Sequence, residues 1–210
     1  YPAVKAAGKE VLTVEGLAEQ AAALNTARPG PEWMAALTRL HPLQQAFVLH
    51  GAVQCGFCIP GQLMTAFALL QRNPDPSEEQ IRQALKDTLC RCAGYPTIVR
   101  AIQAAARSIR SGEPVEPPQI PITDVDHHVI GQLQIRPDGL AKVTGEARFT
   151  DDLHFEGMLH ARVKRAEHPH AIVTRIDVSR ARLLEGVAAV LTAEDIPGEH
   201  NHGLVIYDWP

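Results

Sequence analysis

The apolar positions of this chain change period partway along, and the change separates two kinds of structure. Between residues 40 and 110 they recur at helical spacing. Leu43, Phe47 and His50 share one helical face, with Ala46 beside them. After Pro60 and Gly61 the stretch QLMTAFALL is apolar on most sides, as a central bundle helix would be. Ser77-Glu78-Glu79-Gln80 is a capping-box signature that opens a third helix with Ile81, Ala84 and Leu85 facing inward. Asn73-Pro74-Asp75-Pro76 supplies the turn before it. A fourth helix begins near Pro96, where Ile98, Ile102, Ala105 and Ile109 fall at i, i+4, i+7 and i+11, and Arg100, Gln103, Arg107 and Arg110 take the wet side. Four helices with short joints predict an all-α bundle.

The helical period then stops. Residues 111–126, SGEPVEPPQIPITDVD, hold four prolines and predict an extended, polyproline-like linker running over a surface. Beyond it Leu159, Ala161 and Val163 alternate with His160, Arg162 and Lys164, the pattern of a half-buried strand. Ile172 to Val178 alternates again. Ser179 can cap a short helix through Leu184, Gly186 can end it, and VAAVL returns as a strand. The fold class expected is multi-domain α+β: a four-helix bundle followed by a small α/β domain.

The chemistry lies in the bundle. Cys55 and Cys58 stand in QCGFCIPG, Cys90 and Cys92 in LCRCAGYP, and there is no other cysteine. A C-x-x-C pair and a C-x-C pair, each beside glycine, suit one metal centre better than loop-stapling disulfides. A 2Fe–2S cluster takes four thiolates and no histidine. Zinc accepts the same donors, so the spacing leaves iron–sulfur, zinc, and disulfides or free thiols as alternatives. Both pairs are expected just before helix starts, where unpaired N–H groups and the positive end of the helix dipole stabilise negative charge. Gly56, Gly61 and Gly94 have no side chain to block N–H···S contacts, although they equally suit turns and helix boundaries. Arg91, between the last two cysteines, is expected in solvent.

Other candidates carry less. His168 and His170, and His200 and His202, lie in loop or strand-edge sequence without a carboxylate or cysteine at ligand spacing, and are read as surface histidines. Gly139, Gly145 and Gly157 lack the strand–glycine–helix order of a dinucleotide fingerprint. No nucleophile–base pair is legible. The 210 residues are 45% apolar, enough for packed cores, and a net charge of −4 without a basic stripe argues against nucleic-acid binding. No apolar run approaches the roughly 20 residues of a membrane span. Four thiolates fit a reducing compartment, so a cytoplasmic location is expected.

HGAVQCGFCIPG and DTLCRCAGYPTIVRAI together resemble the second iron–sulfur domain of the molybdenum hydroxylases, the xanthine dehydrogenase and aldehyde oxidoreductase family. RPDGLAKVTGEARFTDD and GVAAVLTAEDIPG resemble the opening of that family's molybdenum-binding half, whose first part is hammerhead-like. Residues 1–18 look like the last strand and exit of its plant-type ferredoxin domain. The resemblance implies four parts: 1–20, the end of the ferredoxin domain; 21–110, the helical 2Fe–2S-binding domain; 111–130, the linker; and 131–210, the start of the molybdenum-binding half.

It further implies that Cys55, Cys58, Cys90 and Cys92 ligate a 2Fe–2S cluster. Gln54 and Cys92 would lie against molybdopterin, in dinucleotide form, bound mainly by residues outside this stretch. Such an enzyme oxidises an aldehyde or N-heterocycle with water as oxygen source, and no catalytic residue of the family falls in this stretch. The linker is too short for a flavin domain. Electrons are therefore expected to pass to the ferredoxin-type cluster and on to a flavoprotein subunit, ferredoxin or flavodoxin. A homo-oligomer is also expected. The competing reading is a non-enzymatic 2Fe–2S carrier or a zinc-stabilised helical module.

Overall fold

The computed structural model of the chain describes residues 3–21, 32–118, 135–199, 201 and 203–207. The later half of the proline-rich stretch, and His200 and His202, lie outside the described residues. Two compact units are present, Tyr1–Thr150 and Asp151–Pro210.

The first unit is the helical bundle. In chain order it has α1 (Glu32–Leu37), α2 (Pro42–Leu49), α3 (Ile59–Arg72), α4 (Glu78–Leu85), α5 (Tyr95–Ser111) and α6 (Gly139–Thr144). Helices α2 to α5 are the four expected from periodicity. All eight residues of α2 are buried, and the helix packs against α3, α5 and α6. This corrects one expectation: α2 is the central helix, whereas α3 buries only Ile59, Gln62, Leu63, Ala66 and Leu70. Apolar content says that a helix wants cover, but its neighbours decide which faces receive it. Phe47, Leu43, Leu63, Ile81, Ile98 and Ile102 are fully buried, each contributing about 1.5–3 kcal/mol relative to exposure.

The start of α2 shows how polar groups enter this core. His41 caps it: its Nδ1 accepts from Leu43 N (3.1 Å), while Gln44 Oε1 accepts from His41 N (3.0 Å). Burial lowers the His41 pKa to about 4, so the ring stays neutral and keeps the lone pair that the cap needs. The Ser77 cap of α4 forms as its sequence predicts, with Ser77 Oγ accepting from Gln80 N and Gln80 Oε1 from Ser77 N. Ser77→Ala should lower the unfolding free energy by about 1 kcal/mol and leave the visible spectrum unchanged, as thermal denaturation with a parallel absorbance record would show.

Two features lay beyond the periodicity. Residues 3–21 contain no strand; they form 3-10 turns at Ala3–Ala6 and Glu15–Ala21, and Val14 and Leu17 are buried in the bundle core. The segment satisfies its backbone bonds locally and places its apolar residues against the helices. Helix α6, only six residues long, packs on α2 and α3 through the fully buried Val143. Past α5 the chain stays on the bundle surface: Val115 is buried, and the His50 Nε2–H donates to Glu116 O (2.9 Å).

The second unit differs from expectation. Among its described residues there is no strand, only short turns of helix at Thr150–Asp152, Ser179–Arg182 (α7) and Ala193–Asp195. Leu159, Val163 and Ile172 are exposed. Alternation marks which face of a strand is apolar, but a strand also needs a partner for its N–H and C=O groups, and the described residues show none. Helix α7 stops at Arg182, short of the Leu184 expected, and Asp177 Oδ1 rather than the Ser179 hydroxyl receives the first N–H (3.1 Å).

Candidate metal centre

The two cysteine loops meet beside the starts of α3 and α5. Cys58 immediately precedes α3, and Cys92 lies three residues before α5. Cys90 is buried, Cys58 and Cys92 are half-buried, and Cys55 is exposed. Cys55 lies beside Cys92 and Cys58 beside Cys90, so the two cysteine loops face one another. Among the described residues, no three Cys, His, Asp or Glu side chains gather closely enough to hold a single ion.

The environments of the thiols differ. The Phe57 N–H donates to Cys55, and this bond, helped by Cys92 and by the Lys142 charge, pulls its pKa down. Burial pushes the Cys58 thiol up to about 12, reinforced by its bond to Cys90. The rim thiol thus ionises more readily than the inner one, and a cation binding both must displace protons.

Local backbone makes the convergence possible. Gly56 has φ +94°, and a Cβ there would lie 2.6 Å from Lys142 Cδ, so both conformation and space require glycine. On the other loop Ala93 turns through φ 57°, a left-handed position that costs a residue with a Cβ roughly 1–2 kcal/mol. Its N–H bonds to Cys90 O (3.1 Å), closing the tight loop between the last two cysteines and α5. The Cys90 N–H donates to the Tyr95 hydroxyl (2.7 Å), which anchors the same loop to α5.

Gln54 is exposed beside these loops, with its Nε2 3.1 Å from where a Gly94 Cβ would stand and its backbone oxygen accepting from Lys142 Nζ (3.1 Å). Arg91 is exposed, as expected. Sequence reasoning missed three participants. The Tyr95 hydroxyl had a signal, since it lies five residues from the backbone it holds. Phe57, 80% exposed and edge-on to Phe149 (centroids 5.9 Å apart), had one in its place between two cysteines. Lys142 had none, because it reaches the site from 88 residues away.

Comparison with known proteins finds relatives for both parts of the chain. Residues 13–103 match the 2Fe-2S binding domain family, and residues 144–208 match the aldehyde oxidase and xanthine dehydrogenase a/b hammerhead domain. The chain is 35% identical over 206 residues to an aldehyde oxidoreductase of Megalodesulfovibrio gigas, which covers 95% of the chain and 21% of that relative. It is 43% identical over 109 residues to one of the nicotinate dehydrogenase subunits of Pseudomonas putida, covering 52% of the chain and 59% of that relative. The crystal structure of the aldehyde oxidoreductase from Desulfovibrio desulfuricans superposes with a TM-score of 0.67 at 36% identity, over 90% of this chain and 19% of that one. The chain thus spans about a fifth of the aldehyde oxidoreductases it matches. With a 2Fe–2S domain followed by hammerhead sequence, and the fold to match, the chain belongs to the molybdenum hydroxylase family of aldehyde oxidoreductases and xanthine dehydrogenases.

Proposed function

We propose that Cys55, Cys58, Cys90 and Cys92 hold one 2Fe–2S cluster, and that this chain is the electron-transfer portion of a molybdopterin-dependent hydroxylase acting on an aldehyde or N-heterocycle. The convergence of four thiols from two loops beside the starts of α3 and α5 carries the reading. Four thiolates and no histidine suit a centre with two irons. Such a cluster, when bound, accepts and releases one electron at a time. The chain's own residues supply the cradle: the Phe57 N–H donates to a ligand sulfur, and Tyr95 holds the Cys90 loop still. Iron and sulfide analysis with paramagnetic resonance of the reduced protein tests this; stoichiometric zinc without iron defeats it.

Gln54 and Cys92 mark the side of the bundle we assign to molybdopterin. The exposed carboxamide offers both a donor and an acceptor, which suits a heterocycle with mixed edges. Exposed Phe57 and Leu89 flank the loops and supply apolar area for a neighbouring domain. Gln54→Ala should weaken pterin retention or slow electron transfer while leaving the 2Fe–2S signal nearly unchanged. Pterin content and the reduced spectrum of the holoenzyme are the measurements, and an altered cluster signal with normal pterin content would refute the assignment.

The remaining parts follow the family. Residues 131–210 are assigned to the start of the molybdenum-binding half, whose alternating segments become hammerhead strands when paired, a reading supported by the match over 144–208. The stretch from about Ser111 to Asp126 is too short for a flavin domain, so electrons are assigned to a separate acceptor.

A further inference from the structure

We propose that Lys142 is a positioning residue for the cluster: its stem holds the Cys55 loop, and its ammonium raises the reduction potential. The inference rests on the four-cysteine reading above but concerns a residue that no motif in the cysteine loops contains.

Three observations converge. The Lys142 stem occupies the space that a side chain at Gly56 would need, with Cδ, Cγ and Cε at 2.6, 2.7 and 3.1 Å from that Cβ position. Its ammonium donates to Gln54 O at 3.1 Å, one residue before Cys55, and to Asp138 Oδ2 at 2.7 Å. The side chain is only 10% exposed, so its charge is screened less than that of a surface lysine. Its neighbour Val143 is fully buried, and Val143 O accepts from Gln44 Nε2 at 2.9 Å, which fixes the helix that presents Lys142.

The charge has a definite sign of effect. Reduction adds one negative charge to a centre already made anionic by four thiolates, so a nearby cation stabilises the reduced form more than the oxidised form. Asp138 opposes this, but Arg136 pairs with its other side, leaving a triad of net charge +1. Lysine suits the place because a narrow alkyl stem can cross bare glycine backbone, with three rotatable donors at its end.

Redox titration of the holoenzyme, followed by paramagnetic resonance, tests the proposal with variants of opposite sign. Lys142→Met keeps the stem and removes the charge. It should lower the reduction equilibrium of this cluster about threefold to tenfold, tenfold being about 59 mV for one electron. Asp138→Asn leaves the cation unopposed and should raise the midpoint by a smaller amount. An unchanged midpoint in a fully loaded Lys142→Met protein overturns the inference. So does a fall in both variants, which would indicate lost packing alone. If Lys142→Met cannot retain iron, Asp138→Asn decides: a rise supports the proposal and its absence overturns it. Wild-type protein lacking iron would instead refute the ligand assignment, and metal analysis shows that before any titration.

Discussion

Exchange of Cys90 for serine is expected to strip the iron and loosen the whole bundle. Cys90 is 7% exposed and belongs to the hydrophobic core, it lies beside Cys58, and its N–H is held by Tyr95. A serine oxygen is a harder and more weakly acidic ligand than a thiol, so an iron there loses half of its protein ligation. The loss does not stay local. Cys58 at the head of α3 would remain buried beside a hydroxyl, and the two loops would lose the centre that joins them. Metal binding and folding are one equilibrium in a domain of this kind. The expected outcome is near-complete loss of iron and sulfide, with a lower and broader thermal transition. Retention of full iron would show that Cys90 is not a ligand. Cys55→Ser makes the informative contrast, because Cys55 is exposed and its loss should remove the cluster with less damage to the core.

The second large effect is expected far from any cysteine. Gln44 has no exposed surface, yet all of its work is polar. Its Nε2 donates to Val14 O at 3.3 Å and to Val143 O at 2.9 Å, and its Oε1 accepts from His41 N at 3.0 Å. One carboxamide thereby ties the amino-terminal segment, the α2 cap and α6 together. Gln44→Leu keeps roughly the same volume but leaves two carbonyls and one N–H without their partner. At about 1–3 kcal/mol for a buried group left unpaired, the total should reach about 3 kcal/mol or more. For a chain of this size that corresponds to a fall of about 6–12 °C in Tm. A change under about 0.5 kcal/mol, the range of an ordinary surface substitution, would mean that water or a shifted backbone satisfies these groups instead.

Much of the bundle was legible because helices announce themselves locally. The i, i+4, i+7 run from Ile98 to Ile109 and the Ser77–Gln80 box both refer to neighbours within a few residues, and both appear as read. The cysteine grouping was legible for a similar reason, since each pair is a short-range spacing. What escaped depends on distance. Nothing in QLMTAFALL or PLQQAFVL says which helix the others will surround. Nothing in GLAKVT says that its lysine will cross Gly56, although Asp138 before it and Gly145 after it do bracket a short helix. The alternation at Leu159–Lys164 identified one apolar face but not a partner strand, and the second unit shows none among its described residues. The direction in which the site faces came from the family resemblance, and the exposure of Gln54 is compatible with it.

The bond from Gln44 to Val143 also bears on how the protein is made. The two residues are 99 apart in the chain, and at about 5–20 residues per second a ribosome needs about 5–20 s to travel from one to the other. Once α5 is complete at Ser111 the four helices can assemble, but until residue 143 follows, the Gln44 carboxamide lacks one of its carbonyls and the Cys55 loop lacks its lysine. The nascent bundle waits with a wet seam until α6 arrives. A cluster delivered before that moment would meet a Cys55 loop that Lys142 does not yet hold.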